Sequence, residues 1–401
     1  MPSYNDAAKP RTQFALIHRS LLQSDELPLQ SLVSDQRIAQ IFQEEQISFG
    51  QDDDAVYTPA ITLWGLLSQV FFKEEQRSCL AAVIRIAALG RTVSSTNTGA
   101  YCRARKQITG EVLRKISGAV AARALSPSSQ AADHDDRPSP PPDAGIGPAS
   151  EYAGGRLIMV DGLTVTAADT AENQAEYPQN PKQKEGLGFP ILRGVVLICM
   201  RTGLLLDADI GPYSGKGTGE TALLWKLLDV LRAGDILVAD SYYCTYWLLA
   251  ACRRRGVHVV MRNHHLRVEL DIRAIKCTLG MDILRAKTPE MVRTELWSCL
   301  LVYNLIRESM LQAAQRSDRT CRSLSLTATL QLFGNLWLSN AIHPADAAWR
   351  ELFLAHQITI QVGHRPGRSE PRANKRRPKI LQLLTKPRHA AKAELELEAA
   401  A

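Results

Sequence analysis

Apolar positions in the first third of the chain recur at helical spacing. Ile61, Trp64, Leu67 and Phe71 fall roughly on one face behind Pro59, and Thr58 stands where a capping hydroxyl is needed, so a helix is predicted from Pro59. A second helix is predicted around Cys79 to Leu89 and a third from Ala100 to Ala124, which together would make a small helical bundle. Between Ser126 and Ser150 the periodicity disappears. Pro, Ser and Asp dominate there, and the stretch reads as an extended linker.

Beyond the linker the pattern changes to short apolar runs bounded by turn signals, the mark of buried strands. Arg156 to Val160 reads as a strand ending at Asp161, and Ile191 to Ala208 as a hairpin-like pair. A helix from Glu220 to Leu231 leads into a strand from Asp235 to Ala239 that ends at Asp240. A helix from Thr245 to Arg255, a strand from Val257 to Arg262 and a helix from Leu266 to Lys276 follow. Three early strands followed by alternating helix and strand fit a mixed sheet flanked by helices, the ribonuclease H-like arrangement, in which the first and fourth strands are neighbours. The predicted division is a helical N-terminal domain (1–125), a linker (126–152), a ribonuclease H-like α/β domain (153–315), a C-terminal helical region (316–360) and a basic tail (361–401).

Composition permits this reading and removes others. A 45% hydrophobic content is ordinary for a globular chain of 401 residues with a real core. The longest apolar run, Leu296 to Ile306, is interrupted by Ser298 and Asn304 and suits a buried helix, not a membrane span. No signal-peptide pattern opens the chain, and eight cysteines without a C-x-x-C pair suggest neither a disulfide framework nor a structural zinc site, so a reducing, cytoplasmic setting is expected. The net charge of +7 is unevenly placed: Gln361 to Lys392 holds ten Lys or Arg against one acid, Glu370. Arg372, Lys375, Arg376, Arg377 and Lys379 form the densest part, an arm suited to a polyanion if it is not simply a solvated tail. Arg103, Arg105 and Lys106, with Tyr101, make the start of the third helix basic, which suits phosphate contacts or an ordinary solvated face.

The candidate chemistry lies in three acids. Asp161 and Asp240 end separate strands, and Glu269 would share a helix face with Arg273 and Lys276. Three convergent oxygen ligands are what Mg²⁺ or Mn²⁺ requires. Each acid also has a plainer reading: Asp161-Gly162 as a turn, Asp240 as a cap for the helix near Thr245, Glu269 as a partner of Arg273. Gly211 to Gly217 resembles a phosphate-binding loop but lacks the Ser or Thr after Lys216, and reads as a flexible lead into the Glu220 helix. His264-His265, without a matching cluster, reads as surface.

The runs Asp161-Gly-Leu-Thr-Val, Asp169-Thr-Ala-Glu-Asn-Gln, Gly186-Leu-Gly-Phe-Pro190, Gly215-Lys-Gly-Thr-Gly-Glu220 and Asp240-Ser-Tyr-Tyr243 resemble the DDE transposases of bacterial insertion sequences, specifically the insertion sequence 4 family. Glu269 and Lys276 match the E-(6)-K half of that family's Y-(2)-R-(3)-E-(6)-K signature, while the Tyr and Arg positions hold Arg262 and His265. The resemblance implies metal-dependent DNA cleavage and strand transfer, with Mg²⁺ or Mn²⁺ held by Asp161, Asp240 and Glu269, and with Arg273 and Lys276 on DNA phosphates. The implied partners are double-stranded DNA (terminal inverted repeats and target) and a second copy of the chain, in the bacterial cytoplasm with the nucleoid and away from membranes. In the family a β insertion separates the second Asp from the Glu, whereas here 269 − 240 leaves 29 positions. A compact transposase and an internally deleted, DNA-binding remnant are both compatible with that spacing.

Overall fold

A computed structural model of the chain describes residues 35–50, 55–72, 74–88, 97–125, 155–261, 268–317, 319–339, 347–362 and 385–400. At its centre is one five-stranded sheet with the order β3-β2-β1-β4-β5. β1 (Leu157–Thr166), β2 (Ile191–Cys199) and β3 (Leu205–Pro212) form an antiparallel meander, and β4 (Ile236–Ala239) and β5 (His258–Met261) extend it in parallel on the other side of β1. This mixed sheet, covered by helices on both faces, is the ribonuclease H-like fold.

The register of β1 against β4 is set where the two strands begin. Arg156 holds Asp235 with two hydrogen bonds, Nε to Oδ1 at 3.0 Å and Nη2 to Oδ2 at 2.6 Å, and its own backbone N–H donates to Oδ1 at 3.1 Å. Asp235 is 2% exposed, so this planar, charge-assisted pair is shielded from water, where such contacts are strongest. It aligns Leu157 with Ile236 and Met159 with Val238.

Side-chain alternation sends the two halves of β1 into two cores. Ile158 and Val160 join Leu237, Ala239, Leu223 and Leu248 on one face; Leu163 and Val165 join Ile275, Leu296 and Leu300 on the other. The second core continues without a break into the N- and C-terminal helices. The N-terminal ones are α1 (Asp35–Glu44), α2 (Pro59–Phe71), α3 (Cys79–Ala88), α4 (Gly99–Gln107) and α5 (Gly110–Ala124). α6 (Ala171–Glu176) lies between β1 and β2, and α7 to α9 are given below where they bear on the site; then come α10 (Pro289–Gln315), α11 (Leu326–Ser339), α12 (Ala347–Thr359) and α13 (Arg388–Ala400). The axis of this second core is α10, which begins at the Thr288 cap and Pro289 and contains the whole Leu296 to Ile306 run. Its polar interruptions are satisfied: the amide of Asn304 donates to the Leu205 carbonyl and the Ser117 hydroxyl and accepts from the Leu205 N–H, stitching α10 to α5 and β3.

Several expected boundaries move. The helix expected over Ala100 to Ala124 is two helices, because Thr109 caps a new start at Gly110 after the chain turns at Ile108. α2 is buried all round from Ile61 to Phe71, not on one face. The Glu220 helix, α7 (Glu220–Trp225), stops early and passes into a 3₁₀ turn at Leu228–Val230. Strand β1 does not end at Asp161 but runs five residues further. Residues 126–154 and 363–384, which include the whole of the expected linker and the densest part of the basic tail (Arg372, Lys375, Arg376, Arg377, Lys379), lie outside the described residues. Two of the tail's ten cations are described with acidic partners: Lys386 beside Glu394, and Lys392 with Glu396 at 3.4 Å.

Candidate active site

The β1–β4 pair opens into a fork at its carboxyl end. Pairing stops at Met159 with Val238, and β4 ends one residue later at Ala239. Extending the register by two positions brings Asp161 level with Asp240. Asp240 keeps an extended backbone, φ −76° and ψ 175°, so strand alternation holds through it. Since Leu237 and Ala239 face one core, Asp240 stands on the other face; Asp161, between Val160 and Gly162 and in phase with Leu163, stands on that same face. Two carboxylates therefore share one face of the fork. Neither alternative role drawn from sequence survives intact: Asp161-Gly162 is extended strand, and Asp240 caps the 3₁₀ turn Ser241–Tyr243, while Thr245 caps α8 (Tyr246–Arg254).

Each carboxylate is oriented through one oxygen by a backbone N–H. Asp161 Oδ1 accepts from Gly162 at 2.7 Å, and Asp240 Oδ1 accepts from Tyr242 at 2.8 Å. Such bonds fix a carboxylate's rotamer.

On the far side of the fork the edge of β1 is taken up again. The Thr166 N–H donates to the Asp282 carbonyl at 3.1 Å, and the Leu284 N–H to the Thr166 carbonyl at 2.8 Å, so Ile283 bridges Thr166 in parallel sense. Between the end of β4 and this bridge, no strand among the described residues pairs with the edge of β1 beside Asp161. The chain that supplies the bridge comes directly from α9 (Val268–Arg273), which packs against β1 and contains Glu269. Glu269 is thus on a helix that packs against β1; its side chain lies outside the described residues, as do Arg262, His264 and His265.

α9 is anchored by a buried charge cluster. Asp271, fully buried, accepts a hydrogen bond from Arg307 Nη2 at 2.6 Å and lies 2.9 Å from Arg322 Nη2, the latter without the alignment of a hydrogen bond. Arg307 Nε in turn donates to the Tyr303 hydroxyl, which donates to the Gly203 carbonyl at 2.7 Å. Gly203 has φ 77°, and a side chain there would meet the Arg307 guanidinium, so the β2–β3 turn closes on that arginine. After Arg273 the helix widens into a π turn, Ala274–Thr278, with the Leu279 N–H reaching back to the Ala274 carbonyl. The wider turn breaks the expected stack of Glu269, Arg273 and Lys276 on one face, because Lys276 falls out of α-helical phase.

The other face of the fork holds a second polar group that sequence reasoning left without a role. Tyr243, almost wholly buried, donates its hydroxyl to Glu220 Oε2 at 3.0 Å. Burial raises the Tyr243 phenol far above its ordinary range, and the charges of Glu220, Asp161 and Asp240 push it the same way. Both residues were in view within the Gly215–Glu220 and Asp240–Tyr243 runs, but nothing in their spacing reveals that they meet. The rim above the fork is aromatic: Tyr242, Tyr246 and Trp247 are exposed, the last two stacked edge to face at 5.3 Å.

Other sequence candidates are scattered. Tyr101 is a core residue, its hydroxyl bonded to Gln69 at 2.8 Å and its phenol pushed up by burial, so it offers nothing to a phosphate. Arg103 and Lys106 are exposed; Arg105 is half-buried and turned to Gln69. Gly211 lies within β3, and the positive-φ residues Gly215 and Gly217 shape the lead into α7.

Asp161 and Asp240 are hard oxygen donors suited to a divalent cation, and they fit as two ligands. Among the described residues no group of three His, Cys, Asp or Glu could hold a metal ion; the Glu269 side chain lies outside those residues. No described helix is long and apolar enough to cross a membrane.

Comparison with known proteins points the same way as this geometry. Residues 152–265 match the family described as transposase DDE domain. The transposase InsG for insertion sequence element IS4 of Escherichia coli (strain K12) is 44% identical over 105 residues, covering 26% of this chain and 22% of that protein. The matched stretch thus spans about a fifth of the relative's length. No solved structure matches the chain. With the five-stranded sheet and its acidic fork inside the matched stretch, residues 152–265 form a DDE domain of the insertion-sequence transposases.

Proposed function

We propose that this chain cleaves and joins DNA strands at the ends of an insertion sequence, using Asp161, Asp240 and Glu269 to hold Mg²⁺ or Mn²⁺. DDE transposases act on DNA and typically use divalent metal ions. The observation that carries the reading is the fork: two oriented carboxylates level on one face of the sheet, in β1 and at the end of β4, with the helix that contains Glu269 packed against β1. When bound, a pair of divalent ions polarises a scissile phosphate and favours attack by water or a 3′-hydroxyl. The chain's own part is to hold the acids in place, to keep the fork open to a strand of DNA, and to bring cations to the phosphates. Arg273 and Lys276 serve that last role beside the fork, and Arg103, Arg105, Lys106, Arg372, Lys375, Arg376, Arg377 and Lys379 serve it at a distance. Tyr242, Tyr246 and Trp247 supply the flat apolar surface on which bases stack. The working form is a homodimer on paired terminal inverted repeats.

One observation favours a second reading, a DNA-binding remnant without cleavage: only 29 positions separate Glu269 from Asp240. End-labelled inverted-repeat DNA incubated with Mg²⁺ or Mn²⁺ distinguishes the two. Strand cleavage by the unaltered chain that is lost in Asp161→Asn, Asp240→Asn and Glu269→Gln, with DNA binding retained, supports the first. Binding without cleavage under either metal supports the second.

A further inference from the structure

Beneath the acidic fork runs a polar strap across three strands. It begins on β2 at Arg193, whose guanidinium lies over the Tyr213 ring at 4.5 Å, with Nε 4.0 Å from Glu220 Oε1. Glu220 is the first residue of α7, and its Oε2 accepts from Tyr243, three residues beyond Asp240. The Tyr243 N–H closes the turn by donating to the Asp240 carbonyl at 3.3 Å. Between these ends the Glu220 carboxylate lies on the backbone of Gly162: a methyl group there would come within 2.4 Å of Cδ and of Oε2. Gly162 has no positive φ that would demand glycine. The missing side chain is needed to let the carboxylate close on β1.

Glu220 approaches from the face opposite Asp161 and Asp240, since Gly162 and the Leu223, Leu224 and Tyr243 cluster share the other side of the sheet. That location removes it as a third ligand. It links the residue next to Asp161 to the turn that carries Asp240.

Resting on the reading of the fork as a metal site, we propose that Glu220 is a positioning residue: clamped between Tyr243 and Gly162, it sets the separation of Asp161 and Asp240 and so the affinity of the pair for a divalent ion. Partners behind the ligands commonly change metal affinity by ten- to a hundredfold. Glu220→Ala and Tyr243→Phe are expected to weaken Mn²⁺ binding by about tenfold in titration of the full chain, read by calorimetry or by loss of the free-ion resonance signal. Glu220→Gln, whose amide oxygen still accepts from Tyr243, should restore most of the affinity. A purely structural role would lower affinity only together with stability, so Mn²⁺ binding that weakens in Glu220→Ala and Tyr243→Phe while circular dichroism and thermal midpoint match the unaltered chain marks positioning. Tyr243→Phe removes one hydroxyl from a buried ring and guards against misfolding of the alanine variant.

The outcomes separate the inference from its premise. Mn²⁺ binding that falls in Asp161→Asn and Asp240→Asn but is unchanged in both Glu220→Ala and Tyr243→Phe overturns the positioning role alone. Absence of Mn²⁺ binding in the unaltered chain, or binding indifferent to the aspartates, overturns the metal site and the positioning role together.

Discussion

Removing the carboxylate of Asp271 should loosen the Glu269 helix more than any other single change in that segment. Asp271 is fully buried and Arg307 only 6% exposed, so Asp271→Ala leaves a guanidinium in the core with the Tyr303 hydroxyl as its remaining side-chain partner. Orphaning one member of a buried ion pair costs about 3–5 kcal/mol. Arg322, with 19% of its side chain exposed, can turn toward water, which puts the expected loss near the lower figure, about 3 kcal/mol. Because Asp271 ties α9 to α10 and to the β2–β3 turn, the loss should appear first as local opening. At about 1.4 kcal/mol per tenfold, amide exchange in residues 268–278 should accelerate by roughly a hundredfold, while the centre of α10 is less affected. Asp271→Asn, which keeps an acceptor, should cost less. The double variant Asp271→Ala, Arg307→Met should recover part of the loss, since no buried charge is then left unpaired. Exchange in 268–278 that stays at the unaltered rate in Asp271→Ala, measured by mass spectrometry, would refute the reasoning.

Three further outcomes follow from other parts of the chain. Burial raises the Glu308 carboxyl above its ordinary value, and its Oε2 has no hydrogen-bond partner, so the folded state holds this proton more tightly than the unfolded chain does. The stability gained is full below the ordinary carboxylate range and lost as pH rises through the raised value; Glu308→Gln should remove that dependence and add on the order of 1 kcal/mol at neutral pH, read from urea midpoints at pH 4 and pH 7. Deleting residues 361–401 takes away ten cations, of which Lys386 and Lys392 already have acidic partners, leaving eight. If these touch duplex DNA, the slope of log affinity against log salt flattens by about 0.9 for each lost contact, and an unchanged slope would show a solvated tail. Asp235→Ala frees the buried end of Arg156 and the alignment of β1 with β4, and should lower stability by about 3 kcal/mol and abolish Mn²⁺ binding at the fork; tight binding in a folded Asp235→Ala protein would show that the register is set elsewhere.

Where the sequence was readable, one periodicity dominated. β2 and β4 are short apolar runs between turn signals, and the strand order follows from connection lengths, so the sheet and the pairing of the first and fourth strands were foreseeable. The break at Thr109 was harder to see, since Tyr101 to Ala124 keeps helical spacing across it and only the Thr109 hydroxyl bonded to Val112 marks a new start. Asp161 looked like a strand end because Gly162 follows. The strand continues because Leu163 and Val165 find a second core on the opposite face, a tertiary fact with no local signal. Tyr101 read as part of a basic surface because helical phase alone does not say which side is covered; the Gln69 amide and the α2–α3 core decide it.

The short connection between Asp240 and Glu269 bears on activity less directly than its length suggests. The described anchors of α9 are supplied from after it: Arg307 and Arg322, which hold its Asp271, and the Asp282–Leu284 stretch that pairs with Thr166. Arg307 and Arg322 lie on α10 and just beyond it, far along the chain from residues 262–267. These anchors all lie outside residues 262–267, so a chain that shortens there keeps them. Loss of the Tyr and Arg of the signature is a different matter, because those positions fall within the connection itself, and under the proposed function they serve DNA, not the fold. Placing Tyr at 262 and Arg at 265 should therefore alter cleavage or DNA binding while leaving the exchange protection of 268–278 and the thermal midpoint where they were. A shift in that protection would show that the connection does position α9, and that the short spacing is a structural defect and not merely a missing contact.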